Sequence, residues 1–294
     1  MLSKEMKAIM SQVMTIEELG VPLGLIQDII FRLLFNEGEA SAAQISIKLG
    51  IHATIIDNLL SHMKQEHLVE IKKAEGISSL GFIYNPTDAG ANRARDAFER
   101  SQYIGLAPVS LDAYKRAILA QTQGNRQVTQ KQIQEALSHL ILPDKFHRRI
   151  GPAVNSGSSL FLYGPPGNGK TTIAEAIAKV LAKDDPIWLP ETVAVGGQII
   201  RIFDPLVHHV LDDEETKLHI DPFGKGEKIR LDKRWRLFQR PSVMVGGELV
   251  MESLDLRFEP VSKVYEAPPA NESQWRHVPH RRLWSPANAP SRTA

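Results

Sequence analysis

The chain has 294 residues, 43% hydrophobic and 23% charged, a balance that suits two folded domains and excludes a disordered polymer. A net charge of +1 gives no bulk electrostatic pull toward nucleic acid or membrane, and the lack of cysteine excludes disulfides and cysteine-ligated metal centres. No apolar run reaches the length of a membrane span, and Met1 to Met14 is interrupted by Lys4, Glu5 and Lys7, unlike a signal peptide, so the expectation is a cytoplasmic protein with no membrane partner.

Residues 1–100 read as one small domain. Leu23, Ile26, Ile29, Ile30, Leu33 and Leu34 recur at helical spacing. Ser41-Ala42-Ala43-Gln44 has the pattern of a capping box and opens a short helix that Gly50 ends. A third helix runs from about His52 to His67, with Ile55, Ile56, Leu59, Leu60 and Met63 on its apolar face. Leu68 to Lys72 and Leu80 to Tyr84 read as two strands around Gly76, and Pro86-Thr87 starts a helix through Ala97. Short helix, tight turn, longer helix and hairpin resemble a winged helix-turn-helix, an α+β unit that can set its third helix in the DNA major groove. The groove-facing set is not strongly basic, however. His52, Asn58, His62 and Lys64 are offset by Asp57 and Glu66, and Lys72 and Lys73 by Glu70 and Glu75. Protein docking is therefore the favoured role of this domain, with DNA binding the weaker alternative.

Residues 101–127 read as a linker whose loosest stretch is Gln121 to Gln127. A second module follows over 128–268. Thr129-Gln130-Lys131-Gln132 has the pattern of another capping box, followed by Ile133, Ala136, Leu137 and Leu140 at helical spacing up to Pro143. Lys145 to Ile150 reads as a second short helix, leading through Gly151 and Gly157 to a strand at Ser159 to Tyr163.

The loop Gly164-Pro165-Pro166-Gly167-Asn168-Gly169-Lys170-Thr171 then fits G-x-x-x-x-G-K-[ST] without a mismatch, and helical sequence follows it. The chemistry needs these residue types. Glycines let successive backbone N–H groups converge on phosphate oxygens, and the helix behind them aims its positive dipole end at the same point. Lys170 is placed to reach the β- and γ-phosphates, and the Thr171 hydroxyl to ligate Mg²⁺. Thr172 supports the α-phosphate or caps the helix. The cofactors expected are ATP and Mg²⁺.

Gly164 to Thr172 has the form of P-loop found in AAA+ ATPases, and the whole chain resembles bacterial predicted ATPases with chaperone-like activity. The resemblance implies an α/β P-loop NTPase module preceded by the winged-helix-like domain. It also implies ATP hydrolysis coupled to remodelling of a protein partner, in a homo-oligomeric ring whose sites are completed by a neighbour's arginine. Residues 186–268 suit a β-rich insert in such a module. Ile199 to Phe203 and Val243 to Val245 read as strands, Gly196-Gly197 and Gly246-Gly247 as turns, and Asp204-Pro205, Asp221-Pro222 and Glu259-Pro260 as loop starts.

Such an ATPase also needs a buried strand ending in two acidic residues, which holds the Mg²⁺ shell and orients the attacking water. The nearest match, Val210-Leu211-Asp212-Asp213-Glu214, follows His208-His209 and reads better as an acidic loop. The same His pair and acids lack metal-site spacing. The module is therefore expected to be C-terminally incomplete, interrupted before its acidic strand, with hydrolysis weak or lost. Residues 269–294 form an irregular tail containing Arg276, Arg281, Arg282 and Arg292 with Trp275 and Trp284. Back-translated with suitable synonymous codons and shifted by one base, residues 271–285 spell Met-Lys-Ala-Asn-Gly-Gly-Met-Phe-Leu-Ile-Asp-Asp-Phe-Gly-Arg, which contains the missing acidic strand. A basic extension that binds nucleic acid or acidic partners is the other reading of this tail.

Overall fold

The computed structural model describes residues 4–74, 79–122, 128–156, 162–183, 186–212, 216, 230–241 and 255–268. The first elements are α1 (Lys4–Ile9), α2 (Leu23–Glu37), β1 (Ala40–Ser41), α3 (Ala42–Leu49), α4 (Ala53–Gln65), β2 (Val69–Ala74), β3 (Phe82–Pro86) and α5 (Asp88–Arg100). Each expected helix forms. Ser41 caps α3 with a reciprocal pair of bonds to Gln44, at 3.2 and 2.8 Å. β1, β3 and β2 make a three-stranded antiparallel sheet, and α2 packs against α5. Ile26, Ile29, Ile30, Leu33 and Leu34 on α2 are fully buried, meeting Ile55, Ile56, Leu59, Leu60 and Met63 of α4 in one core.

The start of α5 is pressed against the turn before β2. Thr87 Oγ1 accepts the Gly90 N–H at 3.1 Å and donates to the His67 carbonyl at 2.7 Å. A Cβ at Gly90 would stand 1.9 Å from the Leu68 carbonyl oxygen, so only glycine fits there.

Residues 101–122 differ from the expected linker. β4 (Val109–Ser110) and α6 (Leu111–Thr122) form, and Tyr103, Ala107, Val109, Tyr114, Ala117 and Ile118 are buried. The reason is a partner that the local sequence does not contain: β4 pairs in parallel with β6 (Thr192–Val195), more than eighty positions along the chain. Gln121 stands in the last turn of α6, where its carboxamide accepts from Trp188 N at 2.7 Å and donates to Trp188 O at 3.0 Å.

α7 (Gln130–Ala136), α8 (Asp144–Asn155) and α9 (Lys170–Lys183) come next. The Thr129–Gln132 capping box forms. α8 starts after Pro143 and continues through Gly151 and Pro152 to Asn155, past the expected helix end at Ile150. Asn155 then pairs with both backbone groups of Val128, each at 2.8 Å. Ile133, Leu137, Ile150, Ile173 and Ala176 make a separate small core for these three helices.

After β5 (Ile187–Pro190), β6 and β7 (Gln198–Arg201) form a hairpin through Gly196 and Gly197, whose φ values of 57° and 81° suit a two-residue type I′ turn. β8 (Trp235–Phe238) pairs with β5. β9 (Arg257–Glu259) and β10 (Val264–Glu266) form a second hairpin around the Pro260 turn, and β10 runs parallel to β7. The resulting five-stranded sheet has the order β4-β6-β7-β10-β9. Alternate residues serve opposite faces: Ala194, Ile199 and Val264 join the core of α2 to α5, while Val193, Ile200 and Tyr265 join a second core with α1, α6, β5 and β8. The strands after residue 186 thus share their cores with residues 4–122. The expected strand at 243–245, the turns or loop starts at 246–247 and 221–222, the residues 157–161 ahead of the P-loop and the tail from 269 lie outside the described residues.

Gly90→Ala should destabilise the protein by about 2 kcal/mol or more, because backbone rather than a movable side chain blocks the methyl. Gly24→Ala on α2, where a Cβ meets nothing within 4 Å, should instead stabilise by up to about 1 kcal/mol. Urea unfolding of both variants measures the contrast.

Candidate functional site

Leu162, Tyr163 and Gly164 approach the loop without strand pairing. Leu162 packs on the small core of α7, α8 and α9, whereas Tyr163 is exposed. The loop turns on three glycines in conformations that side chains rarely adopt: φ is 150° at Gly164, 84° at Gly167 and 68° at Gly169. Pro165, Pro166 and Asn168 are exposed between them. Nothing lies within 4 Å of a Cβ built at Gly167 or Gly169, so backbone torsion rather than crowding selects glycine at these two positions.

α9 begins at Lys170 itself. Its hydrogen-bond ladder opens with Ile173 N–H donating to the Gly169 carbonyl at 2.9 Å. The amides ahead of Ile173 have no intrahelical acceptor, and with the helix dipole they make the loop mouth electropositive. Lys170 Nζ adds a full charge there, donating to the carbonyls of Gly164 at 3.2 Å and Pro165 at 2.8 Å. Thr171 and Thr172 are exposed on the first helical turn. The structure therefore brings Gly164 to Thr172 together as one exposed, positively polarised loop. Backbone amides at a helix start, one ammonium and a hydroxyl oxygen at Thr171 are a donor set that fits a polyphosphate with a hard divalent cation.

A groove of about 550 Å³ between α7 and α9 leads away from Thr172. Glu135 and His139 line one side, and Glu175 and Lys179 the other. These residues have no motif signature; they fall side by side because Ile133 and Ile173 anchor the two helices in one core. Gln132, also on the groove, uses its side-chain oxygen to accept from Thr129 N–H at 2.8 Å.

The alternative acidic and histidine residues lie elsewhere. His208 is 3% exposed, lies edge-on to Phe238 and tilted beside Phe203, and its Nδ1 accepts the Asp204 N–H at 2.9 Å, a core and turn role. Leu211 N–H donates to Leu237 O at 2.9 Å, so the segment carrying Asp212 runs beside β8, and Asp212 itself is exposed. Among the described residues no group of three His, Asp or Glu is arranged to hold a metal ion, and no helix is long and apolar enough to cross a membrane.

Residues 160–199 match the family profile "ATPase family associated with various cellular activities (AAA)". Over this segment the chain is similar to the AAA ATPases. The match spans the loop, α9 and the strands β5 and β6, and it supports nucleotide binding by this segment. No curated protein and no solved structure matches the chain significantly.

Lys170→Ala should shift stability by less than about 0.5 kcal/mol, since the side chain is bonded only to exposed loop carbonyls. Urea unfolding in the absence of nucleotide checks this; a larger loss would make the lysine a structural brace.

Proposed function

We propose that the chain binds Mg-ATP through Gly164, Pro165, Pro166, Gly167, Asn168, Gly169, Lys170, Thr171 and Thr172, as the nucleotide-binding part of a protein-remodelling AAA+ machine. The observation that carries this reading is the loop itself: three glycines at positive φ open directly into α9, with Lys170 as its first residue. Backbone amides of the loop hold the phosphates, Lys170 faces the β- and γ-phosphates, and Thr171 holds the metal. The cation supplies charge neutralisation between phosphates. The α7–α9 groove beyond Thr172 has room for the rest of the nucleotide. Calorimetry with Mg-ATPγS should show binding that falls at least about tenfold in Lys170→Ala. In Thr171→Ala the dependence of affinity on Mg²⁺ should shrink.

Hydrolysis by this chain is proposed to be weak or absent. The nearest acidic pair begins at Asp212, whose segment packs on β8 rather than on the small core that carries Lys170. Steady-state ATPase measurement at saturating Mg-ATP should give turnover near background; a rate of about 1 s⁻¹ or more would overturn this. The shifted-frame reading of residues 271–285 is part of the same proposal, and the gene sequence tests it: codons at 280 to 282 that do not yield Ile-Asp-Asp in the shifted frame end the idea.

We read α2 to α5 with their three-stranded sheet as a winged helix that docks a protein partner or positions a neighbouring subunit in a ring. The alternative, an ATP-switched DNA-binding regulator, needs free cations on the wing. Lys72 is already paired with Glu39 at 2.6 Å, and that lysine's hydrogen bond and charge lower the Glu39 pKa. This pairing favours the protein-docking role. A salt-dependent shift assay with duplex DNA separates the two readings.

A further inference from the structure

The sheet and the N-terminal helices leave a cleft of about 350 Å³ between them, remote in sequence from the P-loop. Its floor is Arg32 of α2, which is 1% exposed. Arg32 Nη1 donates to the carbonyls of Ala97 and Ser101, both at 3.0 Å, and so closes the C-terminal end of α5. Its Nε and Nη2 are buried and have no hydrogen-bond partner. Guanidinium N–H groups left unmet away from water are costly, and native proteins seldom leave them without a reason.

The cleft surrounds Arg32 with more positive charge than negative. Arg100 lines it and holds Asp28 with a forked pair of bonds, Nη2 to Oδ1 at 2.8 Å and Nε to Oδ2 at 3.1 Å. Lys263, from the turn between β9 and β10, also lines it and donates to the Glu99 carbonyl at 2.9 Å. Two guanidiniums and an ammonium thus face one carboxylate, and that carboxylate is already satisfied by Arg100. Burial pulls the Arg32 pKa down to about 10, with Asp28 opposing the fall, so the side chain stays cationic at neutral pH. The opposite wall is aromatic: Phe258 and Tyr265 stand 5.2 Å apart, and Phe258 is 48% exposed. The Gly196–Gly197 turn closes one end.

We propose that this cleft is a binding site for a small organic anion, an oxyanion group carried on an apolar or aromatic body. The oxyanion meets Arg32, Arg100 and Lys263, donor types that suit carboxylate or phosphate oxygens. The body lies on Phe258 and Tyr265. Arg32 comes from α2, Arg100 from α5 and Lys263 from the second hairpin, so the ligand clamps the helical unit to the sheet. This site is independent of the nucleotide reading.

The test uses the full chain carrying Lys170→Ala, so that the P-loop contributes little to phosphate binding. Calorimetry is run with phenyl phosphate, benzoate and inorganic phosphate; the first two distinguish a phosphate ligand from a carboxylate one. Phenyl phosphate or benzoate should bind, and Lys263→Gln or Arg100→Gln should each weaken that binding about tenfold. Phe258→Ala should weaken the aromatic probe while leaving inorganic phosphate unchanged. Arg32→Gln should abolish binding; because Arg32 also closes α5, the rim variants carry the decision if that one fails to fold. No binding of either aromatic probe at about 5 mM, or binding indifferent to Lys263, Arg100 and Phe258, overturns the proposal.

Discussion

Alternation along two short strands governs the architecture. Val193 and Ile200 point to one side of the sheet, and Ala194 and Ile199 to the other. Because both faces are covered, a one-residue slip would exchange the two cores' contents and bury the wrong volumes on each side. The type I′ turn at Gly196–Gly197 fixes that register, since both central residues need positive φ. β4 and β10 then add in parallel at either side of the hairpin, drawing residues 101–122 and 257–267 into a structure that the chain order does not suggest.

The P-loop segment stands apart from this scheme. α7, α8 and α9 pack chiefly on one another, and among the described residues their buried set is five, against more than twenty in the core around α2. A ligand that binds only the folded loop adds to stability by mass action. Two carboxamides mark the edges of the segment. Gln121 joins α6 to the backbone of Trp188 in β5, and Asn155 joins α8 to the backbone of Val128. Each mimics one rung of a strand ladder with a side chain, satisfying both backbone groups of one residue.

Legibility in the sequence followed range. The capping boxes at Ser41 and Thr129 and the turns at Gly196 and Pro260 depend on residues within a few positions of each other, and all four form. The glycine turns from Gly164 and the helix start at Lys170 were legible for the same reason: they lie in eight consecutive residues and the helix after them. Residues 101–122 were not, because β4 is two residues long and has meaning only beside β6. Arg32 was equally hidden. In sequence it is a polar interruption between Phe31 and Leu33 on an apolar helix; its role depends on the carbonyls of Ala97 and Ser101. His208, which precedes the acidic loop in sequence, is buried, and its environment is set by Phe203 and Phe238.

Lys170 shows why loop geometry and binding strength are separate matters. Its ammonium is already bonded to two carbonyls of its own loop, so in the proposed nucleotide complex engaging a phosphate exchanges those bonds rather than adding to a bare charge. The exchange is favourable because a phosphate oxygen carries formal charge and a carbonyl does not. The same two bonds hold the lysine over the loop mouth beforehand, which lowers the entropy lost on binding. On that proposal, affinity for nucleotide depends on how far the glycine torsions at 164, 167 and 169 keep the amides aimed while the lysine changes partners. That requirement falls on backbone conformation, and it explains why the loop tolerates exposed, unpacked glycines that add nothing to the core.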